Sequence, residues 1–321
     1  MLKKSLSVAK RIFVLLLCAA LLCTLGCSDE KNGAVADAVT FTDALGRNVS
    51  VKKHPERVAA LIGSFADVWV LSGGSICAAA EDAWEDFGLE LGDAVNIGGA
   101  HSPSLEKLLS ADPELVIASA STASNVALRE SLESMGITVV YFDVDDLEDY
   151  LSMLYVCTEI TGRKDLYEKN GETVKARSDE VKERFAKAEI PESERRVLVL
   201  RVSSTSIKAK GSASTILGEM LCDLGCVNIA DSDTSLLENL SAESVIREDP
   251  YRIFVVAMGK DGDRARDNLR EMIDSDPAWS TLSAVSEGRV HLMDRTLFNL
   301  KPNAKWAESY EILYEIFTET Q

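Results

Sequence analysis

Positive charge is what this 321-residue sequence has least of for its size: 34 lysines and arginines stand against 52 aspartates and glutamates, a net charge of -18 at neutral pH. So acidic a surface repels phosphate backbones and anionic headgroups, which argues against a nucleic-acid partner and against polybasic docking on a membrane. Histidine is scarce too. His54, His101 and His291 are widely separated, so no cluster is at hand to bind a bare transition-metal ion. Aromatic residues make up 6%, few for a sugar site that relies on stacked rings. Also missing are a glycine-rich phosphate loop ending in Lys-Ser or Lys-Thr, a dinucleotide fingerprint, a paired-histidine zinc helix and a nucleophile elbow, which sets an enzyme second among the classes of function. What is present, 46% hydrophobic and 27% charged residues, is globular composition, and the length suggests two lobes.

Long apolar runs are absent apart from residues 12–25, which follow Lys3, Lys4, Lys10 and Arg11. At 14 residues the run is short for a bilayer span and has the shape of a secretory signal. The junction Thr24-Leu25-Gly26-Cys27 resembles a bacterial lipobox, departing from it by Thr at the third place before the cysteine. Neither Cys18 nor Cys23 follows a small residue, so Cys27 is the expected lipid anchor, its acyl chains giving stable attachment to a lipid bilayer. Removal of the four basic residues takes the charge from -18 to -22. Residues 1–26 are then a signal peptide and 27–38 a flexible tether, leaving an exported membrane lipoprotein. Of the remaining cysteines, Cys222 and Cys226 could pair or could serve as small buried apolar side chains beside Cys77 and Cys157.

Beyond the tether, VTFTDALGRNVSV reads as a hairpin, and apolar runs such as RVAALIG, ELVIAS and TVVYFD alternate with helix-like segments. A second series follows from RVLVLRV through YRIFVVAMG and RVHLMD to a terminal helix. Between them lies a charged segment with a thin apolar stripe that stops before Pro191. The expected architecture is α/β: two lobes, each a parallel-sheet sandwich, at 39–160 and 193–321, joined by a long rigid helix over 161–192, with a groove between them.

The two series share an internal pattern. Ser104-Leu105-Glu106 leads to Asp112-Pro113 and a strand, and Ser241-Ala242-Glu243 leads to Asp249-Pro250 and a strand. Serine caps a short helix, glutamate sits where the dipole favours negative charge, and Asp-Pro ends it; these local preferences alone justify both glutamates. A carboxylate pair, one per lobe, would also suit a symmetric partner. With TDALGRNVSVKKHPERV, SPSLEKLLSADPELVIAS, FDVDDLEDYLSML before TGRKD, LSAESVIREDPYRIFVV and DPAWSTLSAVSEGRVHLMD in this order, the chain resembles the substrate-binding lipoproteins of ABC importers for iron chelates, haem and cobalamin, over roughly residues 39–317. The resemblance implies that Glu106 and Glu243 dock on arginines of a permease dimer served by an ATPase, and that a metal chelate binds between lobes that hinge little. No intrinsic cofactor is implied.

Loops after strands are where an open parallel sheet takes its ligand. They carry Phe65, Trp84 and His101 in the first lobe and Arg201, Lys208, Lys210, Arg295 and Phe298 in the second. The four cations attract carboxylates or catecholates. Trp84 and Phe298 either meet a bulky ligand or pack in the core, and His101 either ligates a haem or chelate metal or merely begins a helix. A ferric siderophore ranks first as ligand, haem second and a corrinoid third. The competing readings are a tethered α/β enzyme, or a tethered receptor working without a permease. Replacing Cys27 by alanine should leave the precursor uncleaved and free of acyl chains by mass spectrometry; a lipidated C27A protein would refute the anchor.

Overall fold

The computed structural model describes residues 37–238, 240–259 and 262–319; the expected signal peptide, almost all of the tether and Cys27 lie outside the described residues. Strands β1 (Ala38–Thr42) and β2 (Asn48–Lys52) form the hairpin, and their register turns Val39, Phe41, Val49 and Val51 to one side. In the first lobe β3 (Val58–Ala60), β4 (Ala78–Ala79), β5 (Val95–Asn96), β6 (Leu115–Ser119) and β7 (Thr138–Phe142) make a wholly parallel sheet in the order β5-β4-β3-β6-β7.

The second lobe pairs β10 (Val227–Asn228), β8 (Arg196–Val202), β11 (Arg252–Ala257) and β12 (Val290–Met293) in parallel, in that order. One element departs from expectation. Residues 207–210, read from the sequence as loop, form β9 (Ile207–Lys210), antiparallel to β8. Strand β10 occupies only Arg196 and Val197 on that edge of β8, so the rest of the edge is open to β9, whose pairing satisfies groups that would otherwise be bare.

Alternation along the strands sorts the core into three. Val197 and Val199 face one cluster and Leu198, Leu200 and Val202 another; Val58 and Ala60 likewise part from Ala59 and Leu61. The outer clusters belong to one lobe each. The middle one is shared, running from Phe65, Phe142 and Tyr150 through Phe185 to Phe254, Met293 and Trp306. Residues from Ala38 onward accordingly form one compact unit.

The connecting segment is helical but not one uninterrupted helix. Helix Leu147–Thr161 closes on left-handed Gly162, and Lys164–Tyr167 then runs through a π turn at Glu168–Glu172 into helix Thr173–Lys187. In the π turn the Asn170 carbonyl accepts the Tyr150 hydroxyl at 2.8 Å, and the Asn170 amide donates to the Leu71 carbonyl at 2.8 Å, pinning the turn to the first lobe. Val174, Ser178, Val181 and Phe185 form its buried stripe. Against it packs the terminal helix Trp306–Thr318, with Phe185 edge-on to Phe317 and Arg184 forked onto Glu311 at 2.7 and 3.0 Å.

Asn303 ties the lobes directly. It is 1% exposed with φ of 52°, and its Nδ2 donates to the Ser64 carbonyl at 2.9 Å and to Asp67 Oδ2 at 2.8 Å. Asparagine tolerates that left-handed backbone better than most residues. Asn303→Ala should destabilise the protein by about 1–3 kcal/mol, because buried acceptors lose their donor. Calorimetry should read this as a drop in Tm of about 2–4 °C per kcal/mol; an unchanged Tm would show that the tie contributes nothing.

Candidate functional site

Strand β8 brings Arg201 near its C-terminal end, and the register of β9 places Lys208 directly opposite, with Lys210 two residues further along the same side. Like charges facing each other across a strand pair are unfavourable. Here nothing offsets them: among the described residues none of the three side chains has a hydrogen-bonding or ionic partner. Arg201 is half-buried and burial alone depresses its pKa; Lys210 is depressed by burial first and then by Arg201 and Lys208. Such a cluster costs the fold stability and would regain it on meeting an anion. Arg201 and Lys210 line a narrow crevice of only about 10 Å³ with Thr215, Phe298 and Asn299.

The last of the expected cations behaves differently. Arg295 opens a short helix, Arg295–Phe298, whose main chain is fixed by the Asp294 carboxylate accepting from the amides of Thr296 and Leu297 at 2.8 and 3.0 Å. Its Nη1 donates to Asp86 of the first lobe, so it is paired rather than free, while its Nε is buried without a partner. Arg295 also borders a recess of about 400 Å³ beside Arg266, at the ends of β8, β11 and β12. On the first-lobe side Asp82 Oδ2 accepts the Gly63 amide at 2.9 Å, an approach that a side chain at Gly63 would block, since its Cβ would lie 2.5 Å from the Ala83 nitrogen. Burial pushes the Asp82 carboxyl up, with Asp86 adding to the effect and Arg295 opposing it.

Two expected groove residues are buried in the core, although Phe298 also borders the crevice beside Arg201. Phe65, 2% exposed, lies in the first turns of helix Gly63–Leu71 and meets Phe142 edge-on; Phe298, 1% exposed, is the last residue of its helix and turns into the shared cluster. Each follows a strand closely in sequence, but helix geometry rotates the ring inward. Trp84 is half-buried against the same cluster. His101 is exposed in the loop after β5, where the neighbouring Ala100 carbonyl accepts from Ser124 and Asn125. Cys222 and Cys226 are both free thiols, the first exposed and the second buried. Asp82 and Asp86 were not singled out in the sequence, since one more acid carries no signal in so acidic a chain, and Asn303 was not, since its role rests on tertiary contacts with Ser64 and Asp67.

Glu106 and Glu243 are exposed in the first turns of helices Leu105–Ser110 and Ala242–Glu248, capped by Ser104 and Ser241. The repetition reaches the backbone: Asp112 and Asp249, each before proline, are both left-handed, at φ of 48° and 34°. Among the described residues no helix is long and apolar enough to cross a membrane, and no group of histidine, cysteine and acidic side chains could hold a metal ion.

Residues 58–297 match the periplasmic binding protein family. The Fe(3+)-citrate-binding protein YfmC of Bacillus subtilis is 27% identical over 88% of this chain and 89% of its own. An uncharacterized ABC transporter substrate-binding lipoprotein of the same organism, YvrC, is 26% identical over 84% and 82%. Among solved structures, Staphylococcus aureus SirA complexed with staphyloferrin B shares the fold with a TM-score of 0.66, at 22% identity over 87% of this chain and 98% of that one.

Proposed function

This chain belongs to the periplasmic binding protein family, and from that premise we propose that it captures an anionic ferric siderophore outside the cytoplasm and delivers it to an ABC permease. A substrate-binding role, not catalysis, is what the relatives of this family share. The observation that carries the choice of ligand is the unpaired trio Arg201, Lys208 and Lys210 on one side of the β8–β9 ribbon in a chain of net charge -18. Ferric chelates built on carboxylates or catecholates are bulky and negatively charged, which suits a cationic wall beside a groove. The names of YfmC and of the SirA complex, one a ferric citrate binder and the other holding staphyloferrin B, support the same class. Haem has less support, since the His101 on which it rests stands exposed in a loop.

The chain would act from the membrane surface, held by acyl chains on Cys27. Glu106 and Glu243 would face the two permease subunits, one from each lobe, with the ATPase powering release into the pore. Both are exposed and both sit at serine-capped helix starts, leaving the carboxylates free to meet arginines.

Titration calorimetry with ferric citrate should show Arg201→Gln with Lys208→Gln weakening binding by roughly 1.5–3 kcal/mol for each charged hydrogen bond lost. Equal affinity in the double variant would overturn the placement of the ligand. Reversal of both Glu106 and Glu243 to arginine should abolish uptake by whole cells while the purified protein binds its chelate as before. Wild-type uptake by the double reversal would remove these glutamates from the docking role.

A further inference from the structure

Arg295 and Asp86 meet across the two lobes, and the pair is unlike another cation that reaches over. Lys301 approaches Asp145 at 3.4 Å where the carboxylate is 74% exposed, a screened surface contact. The side chains of Arg295 and Asp86 are 26% and 13% exposed. Burial strengthens their attraction, yet it leaves the guanidinium incompletely used, because Nε has no partner. The guanidinium also stands between two openings. Arg295 borders the recess of about 400 Å³, and Asp86 borders a crevice of about 140 Å³ shared by Phe87, Thr296 and Lys305.

A second acid lies behind the first. Asp82 feels both Asp86 and Arg295, and its Oδ1 is buried without a partner. If Arg295 turned away, two carboxylates would face each other with their cation gone. Only an incoming group with enough negative charge could offset that loss.

We propose that Asp86 is a gate on Arg295: its carboxylate holds the guanidinium until a polyanionic ligand displaces it, so that the pair admits highly charged chelates and turns away weakly charged ones. Asp86 is thus a positioning residue that sets specificity through Arg295, and the inference rests on the ferric-chelate reading above. The arrangement complements the β8–β9 trio. Three cations stand unpaired, and a fourth is released only to a ligand that competes for it. The main chain of Arg295 is held by the Asp294 cap, so the exchange requires only that its side chain swing.

The test is a double-mutant cycle read as the Kd for ferric citrate, with a neutral ferric hydroxamate as second probe. Asp86→Asn should tighten binding of the neutral chelate by about 3- to 10-fold, within the range of coupling between contacting groups, and of ferric citrate by less, so that the preference for the charged chelate shrinks. Arg295→Gln should weaken ferric citrate binding about tenfold in the wild-type background and more in the Asp86→Asn background. Asp86→Glu should restore wild-type behaviour, and Asp86→Ser serves the same arm as the asparagine if that variant does not fold. A purely structural bridge gives another pattern, with Tm lowered in either variant and the ferric citrate Kd unmoved or weakened in both; that result overturns the gate. Wild-type protein that binds ferric citrate with the same Kd as Arg295→Gln defeats the gate alone. Wild-type protein that binds no ferric chelate defeats the ligand reading and the gate with it.

Discussion

Residues from both sheets, Val58 and Phe142 on one side and Val199, Phe254 and Met293 on the other, enter a single apolar cluster that also takes up Phe185 of the connecting helix and Trp306 of the terminal one. Opening the lobes widely would expose that cluster to water, at about 25 cal/mol for each Å² of apolar surface uncovered. The groove is therefore held near one width. Asn303, buried between Ser64 and Asp67, fixes the position of one lobe on the other with polar contacts that a sliding interface would lose. The π turn at Glu168–Glu172 does the same at the start of the connection, where Asn170 binds both Tyr150 and Leu71.

A groove of fixed width leaves recognition to charge placed in advance. Arg201, Lys208 and Lys210 are set by strand register, and the cost of holding them together is met by the fold before any ligand arrives. Preorganisation of this kind favours binding because the ordering has already been done. The same logic explains why the chain as a whole can be so acidic. Under the proposed function the cations are concentrated where the anion would bind, and the surrounding negative charge would keep the rest of the surface unattractive to it. Arg295 lies within this scheme as a cation already neutralised by Asp86, at the seam between the lobes.

Much of this was readable in the residues. Continuous apolar runs such as ELVIAS and RVLVLRV announced strands covered on both faces, and the paired Ser-x-Glu and Asp-Pro spacings announced two related lobes, while the left-handed backbone of Asp112 and Asp249 emerged only from the structure. Strand β9 was not readable, because Ile-Lys-Ala-Lys is short and half charged and becomes a strand only by completing the free edge of β8. The burial of Phe65 and Phe298 was not readable, since sequence position gives a residue's element and not the direction of its ring. The partners of Arg295 were hidden for a different reason: which of 52 acidic side chains meets a given arginine is decided by tertiary packing alone.

Selection of the ligand by negative charge can be read from a series of ferric chelates of increasing charge, titrated against the purified protein at several salt concentrations. Affinity should rise with the charge of the chelate and fall as salt screens the cations, the loss being steepest for the most highly charged member. Equal affinity across the series, or binding that salt leaves untouched, would contradict it.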